Sequence, residues 1–262
     1  MKTRLLTSAI GLIVFFAALF SNEVIFSIAV LIVALIGIIE IHNAIGVDKK
    51  LTIIGAVLCC GIFVAAVLDK LLVSLIIGLL VYMFLTVFFY SKIPLNKIYM
   101  SGFLSIVLSV SFSALAIIYI EYNPLTVLLP FVFAWITDSG AYLFGLTLGK
   151  HKLAPKLSPK KTIEGAIGGS FSCIVISVFY LWLCKNSFNT MLIDDSYLTM
   201  VIVSLIASVI SQFGDLSLSA IKREYEIKDY GNLLPGHGGV LDRFDSMIFV
   251  IPFVYFVLNM IK

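Results

Sequence analysis

Nine stretches of 16 to 25 residues, each nearly empty of charge, follow one another along this chain, at 5–20, 24–41, 51–68, 71–90, 98–120, 124–148, 163–184, 197–217 and 246–261. The hydrocarbon core of a bilayer takes about 20 apolar residues of helix. Backbone polar groups left unpaired there are so costly that only helices and closed barrels cross it. No segment alternates at period two over the ten or so residues of a barrel strand. Composition agrees, with 61% of the 262 residues apolar and 13% charged, where an ordinary soluble domain is about half apolar and a quarter charged. The sequence therefore predicts an all-α integral membrane protein of about nine transmembrane helices. Its shorter stretches need local bilayer thinning or flanking anchors. Met1-Lys2-Thr3-Arg4 before an apolar run resembles a secretory leader. No small-x-small cleavage site follows Phe20 and further spans come after, so this run is read as the first span.

Lys and Arg decide the orientation. With nine spans the N-terminus shares a face with residues 42–50, 91–97, 149–162 and 218–245. That face holds 15 of the 18 Lys and Arg, and the other holds only Lys70, Lys185 and Lys262. The expectation is an N-terminus in the cytoplasm. Acids on the far face include Glu23, Asp69 and Glu121, with Asp194 and Asp195 in a solvated loop. Glu40 and His42, at the end of the second stretch, read as interface residues. Cys59, Cys60, Cys173 and Cys184 lie in apolar runs without a C-x-x-C pair, which argues against a zinc or disulfide framework. Trp135 and Trp182 read as packing or interface anchors.

The chemistry concentrates in residues 215–245. If the eighth helix continues past Asp215, Ser219 and Lys222 lie four and seven residues on and share its face. Asp242 and Asp245, three apart, share a face at the start of the ninth helix. Two helix ends then present three carboxylates and a lysine toward one point, and hard cations take carboxylates together with substrate phosphates. Between them, Pro235-Gly236-His237-Gly238-Gly239 serves either as a tight turn or as a backbone that approaches phosphate through its N–H groups. His237 is a turn residue or a donor to phosphate. Upstream, Ser158 as N-cap and Pro159 as first helical residue make a plausible helix start. Lys160 and Lys161 would then oppose the helix dipole, either because an anion docks there or because cytoplasmic loops favour lysine anyway. Asp138 falls in mid-membrane, where a carboxyl group is expensive and marks either a functional site or an interhelical hydrogen bond.

From Ser219 the chain reads Ser-x-Ile-Lys-Arg-x₄-Lys-Asp-x-Gly-x₂-Leu-Pro-x-His-Gly-Gly-Val-x-Asp-Arg-Phe-Asp, ending at Asp245. This resembles the signature of the phosphatidate cytidylyltransferases, also called CDP-diacylglycerol synthases. A second block, Asp138-Ser-Gly-Ala-Tyr142 with Gly145, Gly149-Lys150, Ser158-Pro-Lys-Lys-Thr162 and Glu164-Gly165, is similar to the same family. The likeness covers about 120 residues, and the first five spans match in hydropathy only. Leu218 stands where many members carry Glu.

The resemblance implies the reaction CTP + phosphatidate → CDP-diacylglycerol + diphosphate in phospholipid biosynthesis. It implies one or two Mg²⁺ ions, a homodimer, and an active site on the cytoplasmic side of the cell (inner) membrane, with no nucleic-acid partner. Asp215, Asp242 and Asp245 are then the metal and phosphate organisers, with Lys222 between them. Lys160, Lys161, Arg223, Lys228 and Arg243 face the CTP phosphates or the lipid headgroup. Ser219, His237, Gly238 and Gly239 complete the substrate site, and Asp138 lines it from below. Residues 1–97 become an N-terminal set of transmembrane helices. Residues 98–262 become the catalytic transmembrane region, with cytoplasmic loops 149–162 and 218–245. A related transferase acting on another lipid phosphate is one rival. An ion-coupled transporter is the other, though such proteins place charges at the midplane in paired repeats, and no repeat is visible here.

Overall fold

The computed structural model describes residues 2–261 apart from Asn189, Met191, Asp194 and Asp195, and of residues 2–6 and 8 the backbone only. The expected solvated loop at Asp194–Asp195, and Lys262 on the same face, thus lie outside the described residues.

The described residues form α1 (Lys2–Leu19), α2 (Glu23–Ala44), α3 (Lys49–Val67), α4 (Leu71–Phe89), α5 (Leu95–Glu121), α6 (Pro124–Leu148), α7 (Ile163–Ser187), α8 (Tyr197–Glu224) and α9 (Met247–Ile261). Each helix falls on one of the nine apolar stretches. Seven, α2 to α8, are long and apolar enough to cross a bilayer; α1 and α9 carry shorter apolar runs, Ala9–Leu19 and Met247–Ile261. Large apolar side chains such as Ile13, Val57, Leu72, Phe84 and Phe171 point outward, which a protein dissolved in lipid requires. The polar breaks supply the caps. Asn22, Asp48 and Asn123 accept the N–H of Ile25, Lys50 and Thr126 respectively, each satisfying one donor that a helix start leaves open.

The expected helix start at Ser158-Pro159 is overturned. Ser158–Thr162 is a strand, β2, paired antiparallel with β1 (Lys152–Ala154) in the register Lys152↔Thr162 and Ala154↔Ser158. The cap of α7 is Thr162, whose Oγ1 accepts the N–H of Gly165 at 3.1 Å. Glu164 explains the shift. Its carboxylate accepts the N–H groups of Lys150 and His151 and meets His151 Nδ1 at 2.6 Å. That fastens the ribbon to the first turn of α7, where an acid also suits the dipole. Lys160 and Lys161 therefore stand on a strand ahead of the helix and do not load its first turn.

The chain divides into two compact units. The first comprises residues 1–121 and 225–244, with α5 at its centre. Most of α5 from Ser101 to Tyr119 is buried, and α2 and α3 pack against it. His42 is fully buried there, not at an interface. Its Nε2 lies 3.1 Å from Ser105 Oγ and 3.2 Å from Ser101 Oγ, and the Tyr82 hydroxyl donates to Ser105 Oγ at 3.2 Å. Such interhelical hydrogen bonds are the usual adhesive between helices in lipid. Glu40 is buried too, contrary to the sequence reading. Within the same unit the segment 225–244 ends on a short 3₁₀ turn, η1 (Leu241–Arg243).

The second unit comprises residues 122–224 and 245–262. Here α6 and α7 approach closely through small residues, Gly140 and Ala141 against Gly169, the packing that lets backbones meet in a membrane. Gln212 ties α8 to α7 by donating to Ala166 O and Ser170 Oγ, both at 3.2 Å. The cysteines are free, with Cys59, Cys173 and Cys184 buried.

Candidate active site

Helix α8 does run past Asp215, to Glu224. Asp215, Ser219 and Lys222 therefore lie along one face, and the Ser219 hydroxyl donates to Asp215 Oδ1 at 3.4 Å. What brings the residues before α9 against this face is Gly214. A Cβ there would stand 2.8 Å from the Phe249 ring and 3.2 and 3.3 Å from the carbonyl oxygens of Ser246 and Asp245. Any side chain would hold those residues away from Asp215.

Four charged groups gather in this second unit around Asp215. Its Oδ2 pairs with Lys161 from β2. Asp245 Oδ2 lies 3.8 Å from Lys222 Nζ, while Asp245 Oδ1 caps the N–H of Ser246 at 2.9 Å. Asp138, on α6, accepts from the Ser246 hydroxyl at 3.1 Å. Burial, and then the like charge of Asp215 opposed by Lys222, push the Asp245 carboxyl up to about 7, with Asp138 adding a smaller upward push. Burial leads and the two neighbouring carboxylates add to it, so this carboxyl sits in a desolvated place already rich in acid. Such a place favours a cation or a positively charged partner.

Beside these groups is a cavity of about 460 Å³. Asp138, Asp215, Lys160, Lys161, Lys152 and Gln212 supply its polar lining, and Ala141, Tyr142, Leu146 and Ala166 an apolar one. Volume and mixture are those of a small-molecule site. The sequence reading missed Lys152 and Gln212. Lys152 became a partner of Lys160 and Lys161 only through the ribbon, which nothing in a helix-start pattern announces. Arg223 turns instead to the ribbon, donating from Nε to Leu157 O at 3.2 Å.

The remaining candidates lie in the first unit. Lys228 is exposed. The turn at 234–238 closes through the His237 N–H to Leu234 O at 2.8 Å and the Leu234 N–H to Gly238 O at 2.9 Å. Gly238 has φ of +84°, a conformation that side chains resist. Arg243 donates to His237 O at 2.6 Å. Asp242 is not at the start of α9 but on η1, almost buried, and its Oδ2 accepts the N–H groups of Tyr230 and Gly239, both at 2.9 Å. Its geometry is that of a brace across the signature loop. No group of three or more His, Cys, Asp or Glu in metal-holding geometry occurs among the described residues.

Known proteins resemble this chain along nearly its whole length. The model of the cytidylyltransferase family matches residues 2–261. A phosphatidate cytidylyltransferase of Staphylococcus aureus (strain COL) is 34% identical over 265 residues, covering 98% of this chain and 99% of that protein. One from Staphylococcus haemolyticus is 32% identical over 271 residues with the same coverage. The phosphatidate cytidylyltransferase of Bacillus subtilis (strain 168) is 47% identical over 127 residues, a match spanning 48% of this chain and 45% of that protein. A match along nearly the whole length leaves one assignment: the chain belongs to the cytidylyltransferase family.

Proposed function

We infer that this protein transfers the cytidylyl group of CTP to phosphatidic acid, giving CDP-diacylglycerol and diphosphate, a step of phospholipid biosynthesis. The observation that carries the reading is the alternation of acid and lysine, Lys161 on Asp215 and Lys222 near Asp245, beside a cavity whose lining passes from lysines to apolar side chains. A phosphorylated lipid needs such a lining, and the names of the full-length relatives point to the same substrate.

In the reaction, an oxygen of the lipid phosphate forms a bond to the α-phosphorus of CTP while the bond from that phosphorus to the β-phosphate oxygen breaks and diphosphate leaves. The nucleophile is already anionic, so little base catalysis is required. Positioning and charge neutralisation remain to be supplied. Lys152, Lys160 and Lys161 are suited to hold phosphate at the mouth of the cavity. Asp245, Asp215 and Asp138 offer only oxygen donors, and their grouping fits a hard cation. Asp215 and Asp245 would hold Mg²⁺, with Asp138 behind them. The ion would supply neutralisation of phosphate charge. Mg²⁺ is usually bound by one or two carboxylates plus substrate phosphates and water, a share that Asp215 and Asp245 would supply.

The same proposal includes nine spans, a cytoplasmic N-terminus and active face in the cell membrane, and a homodimer. The 15-to-3 distribution of Lys and Arg supports that orientation. One assay tests the function: Mg²⁺-dependent conversion of radiolabelled CTP into chloroform-soluble product in the presence of phosphatidate. No such product from pure, folded protein overturns it.

A further inference from the structure

Two glycines of the signature loop have their missing side chains accounted for by a residue some 200 positions earlier. A Cβ on Gly231 would lie 2.5 Å from Glu40 Oε1, and one on Gly239 would be closer still to Glu40 Oε2. Neither glycine has a positive φ, unlike Gly236 and Gly238. Space, not backbone freedom, excludes a side chain at both.

The space is filled by a carboxylate that works. Glu40, on α2, is 7% exposed. Its Oε1 accepts the N–H of Val240 at 3.0 Å, and its Oε2 accepts that of Leu241 at 2.8 Å. These donors open η1, the turn that carries Asp242. Asp242 in its turn accepts the N–H groups of Tyr230 and Gly239. Two carboxylates thus act in series, Glu40 fixing the turn to α2 and Asp242 folding the loop back on that turn. A buried carboxylate is expensive unless it is fully hydrogen-bonded, and charge-assisted bonds to backbone N–H groups are among the strong ones. Merely closing a loop does not require that expense. Fixing a loop to a rigid helix within a fraction of an ångström does.

We propose that Glu40 is a positioning residue of the transferase. From α2 it sets where Asp242 and the Gly238–Gly239 backbone stand, the part of the signature that the family resemblance assigns to the substrate. This rests on the cytidylyl-transfer reading for its kinetic arm, but not for its structural one. The residue reads in sequence as an ordinary helix-end acid, because nothing local to α2 announces a partner in the loop.

Glu40→Gln keeps the shape and replaces one acceptor by an N–H₂ that faces a backbone N–H. The expected result is a fall in kcat/KM for CTP of about tenfold or more, the scale of losing an outer-shell partner. Amide exchange at Val240 and Leu241 should accelerate, while exchange at the α5 amides stays as in the wild type. Gly239→Ala tests the steric half: alone it should be severely impaired, and combined with Glu40→Asp, whose carboxylate retreats by one methylene, it should regain activity by about tenfold, a coupling that independent sites do not show. Wild-type kcat and KM in Glu40→Gln with unchanged exchange at Val240 and Leu241 overturns the proposal, as does a Gly239→Ala defect indifferent to Glu40→Asp. If wild-type protein makes no CDP-diacylglycerol, the functional reading falls, and the exchange arm still decides whether Glu40 holds the loop.

Discussion

Asp215→Asn separates charge from structure at the centre of the site. Among the described residues Asp215 has an ion pair with Lys161 and a hydrogen bond received from Ser219 at 3.4 Å. The paired side chains are 24% and 23% exposed, so losing the charge leaves Lys161 partly buried without its counter-ion, at a cost of about 1–3 kcal/mol. Asn keeps the volume and an oxygen for Ser219. The stability cost should therefore be about 1–3 kcal/mol, a shift of about 3–9 °C in Tm for a chain of this size. Activity stands on another scale. Removing one group that handles transition-state charge lowers turnover by about 10² to 10³, or roughly 3–4 kcal/mol. Added Mg²⁺ should rescue only partly, because hard cations need the carboxylate charge. The assay counts chloroform-soluble product from radiolabelled CTP over a Mg²⁺ series, with thermal unfolding followed on the same detergent-purified sample. Near-normal turnover at low Mg²⁺ would refute the reasoning. So would a collapse of stability, since the loss would then report folding.

Asp242→Asn keeps an oxygen for the N–H groups of Tyr230 and Gly239, so thermal stability should change little while kcat/KM for CTP falls by about tenfold, the scale of losing an outer-shell partner; wild-type kinetics would leave Asp242 a structural brace alone. Asp242→Ala should lose loop order as well, by about 3 kcal/mol for two charge-assisted bonds, seen as faster amide exchange at Tyr230 and Gly239. Lys161→Ala should raise KM for CTP or phosphatidate by about tenfold in a protein that still inserts and folds, and unchanged constants would make the lysine a topology signal alone. Cysteines placed at Lys156 and Asn232 should be shielded from impermeant thiol reagents in intact cells and one at Lys70 labelled; labelling at 232 from outside would overturn the nine-span orientation.

The helices were legible because lipid imposes one rule on every residue of an apolar helix, and each of the nine apolar runs carries one. The Asp215–Ser219–Lys222 face was legible for a similar reason, since helical periodicity places i, i+4 and i+7 together wherever the helix persists. Legibility failed where a partner is distant and the local pattern is innocent. Ser158-Pro159 has the chemistry of a helix start, yet Glu164, by seizing the N–H groups of Lys150 and His151, makes the same residues half of a ribbon. Glu40 and His42 look like the polar margin of a span, and each is buried against a segment far along the chain, Glu40 on 240–241 and His42 on Ser101 and Ser105. In a chain this apolar, a polar residue at the end of a helix is ambiguous between meeting water and meeting another helix. Only the fold decides.

The signature itself divides along the same line. Read as sequence, its glycines suggest a backbone bared to phosphate. In the structure, two of them are bare because Glu40 occupies the space beside them, and Gly238 is bare because the turn needs a positive φ. A carboxylate buried against N–H groups keeps those groups from phosphate, so Val240 and Leu241, with both donors given to Glu40, are not free to bind one. On the proposed reading the phosphates draw on side-chain cations as well, and the second unit supplies them in pairs with acids. Lys161 held by Asp215 and Lys222 beside Asp245 leave little net charge in a place that burial makes costly for any unpaired ion. An arriving phosphate offers each lysine a second anion, and an arriving cation offers each carboxylate a second partner. Neither charge then has to be uncovered before its replacement is present. That exchange demands that acids and lysines alternate in space, which is how α8, β2 and the residue before Ser246 arrange them.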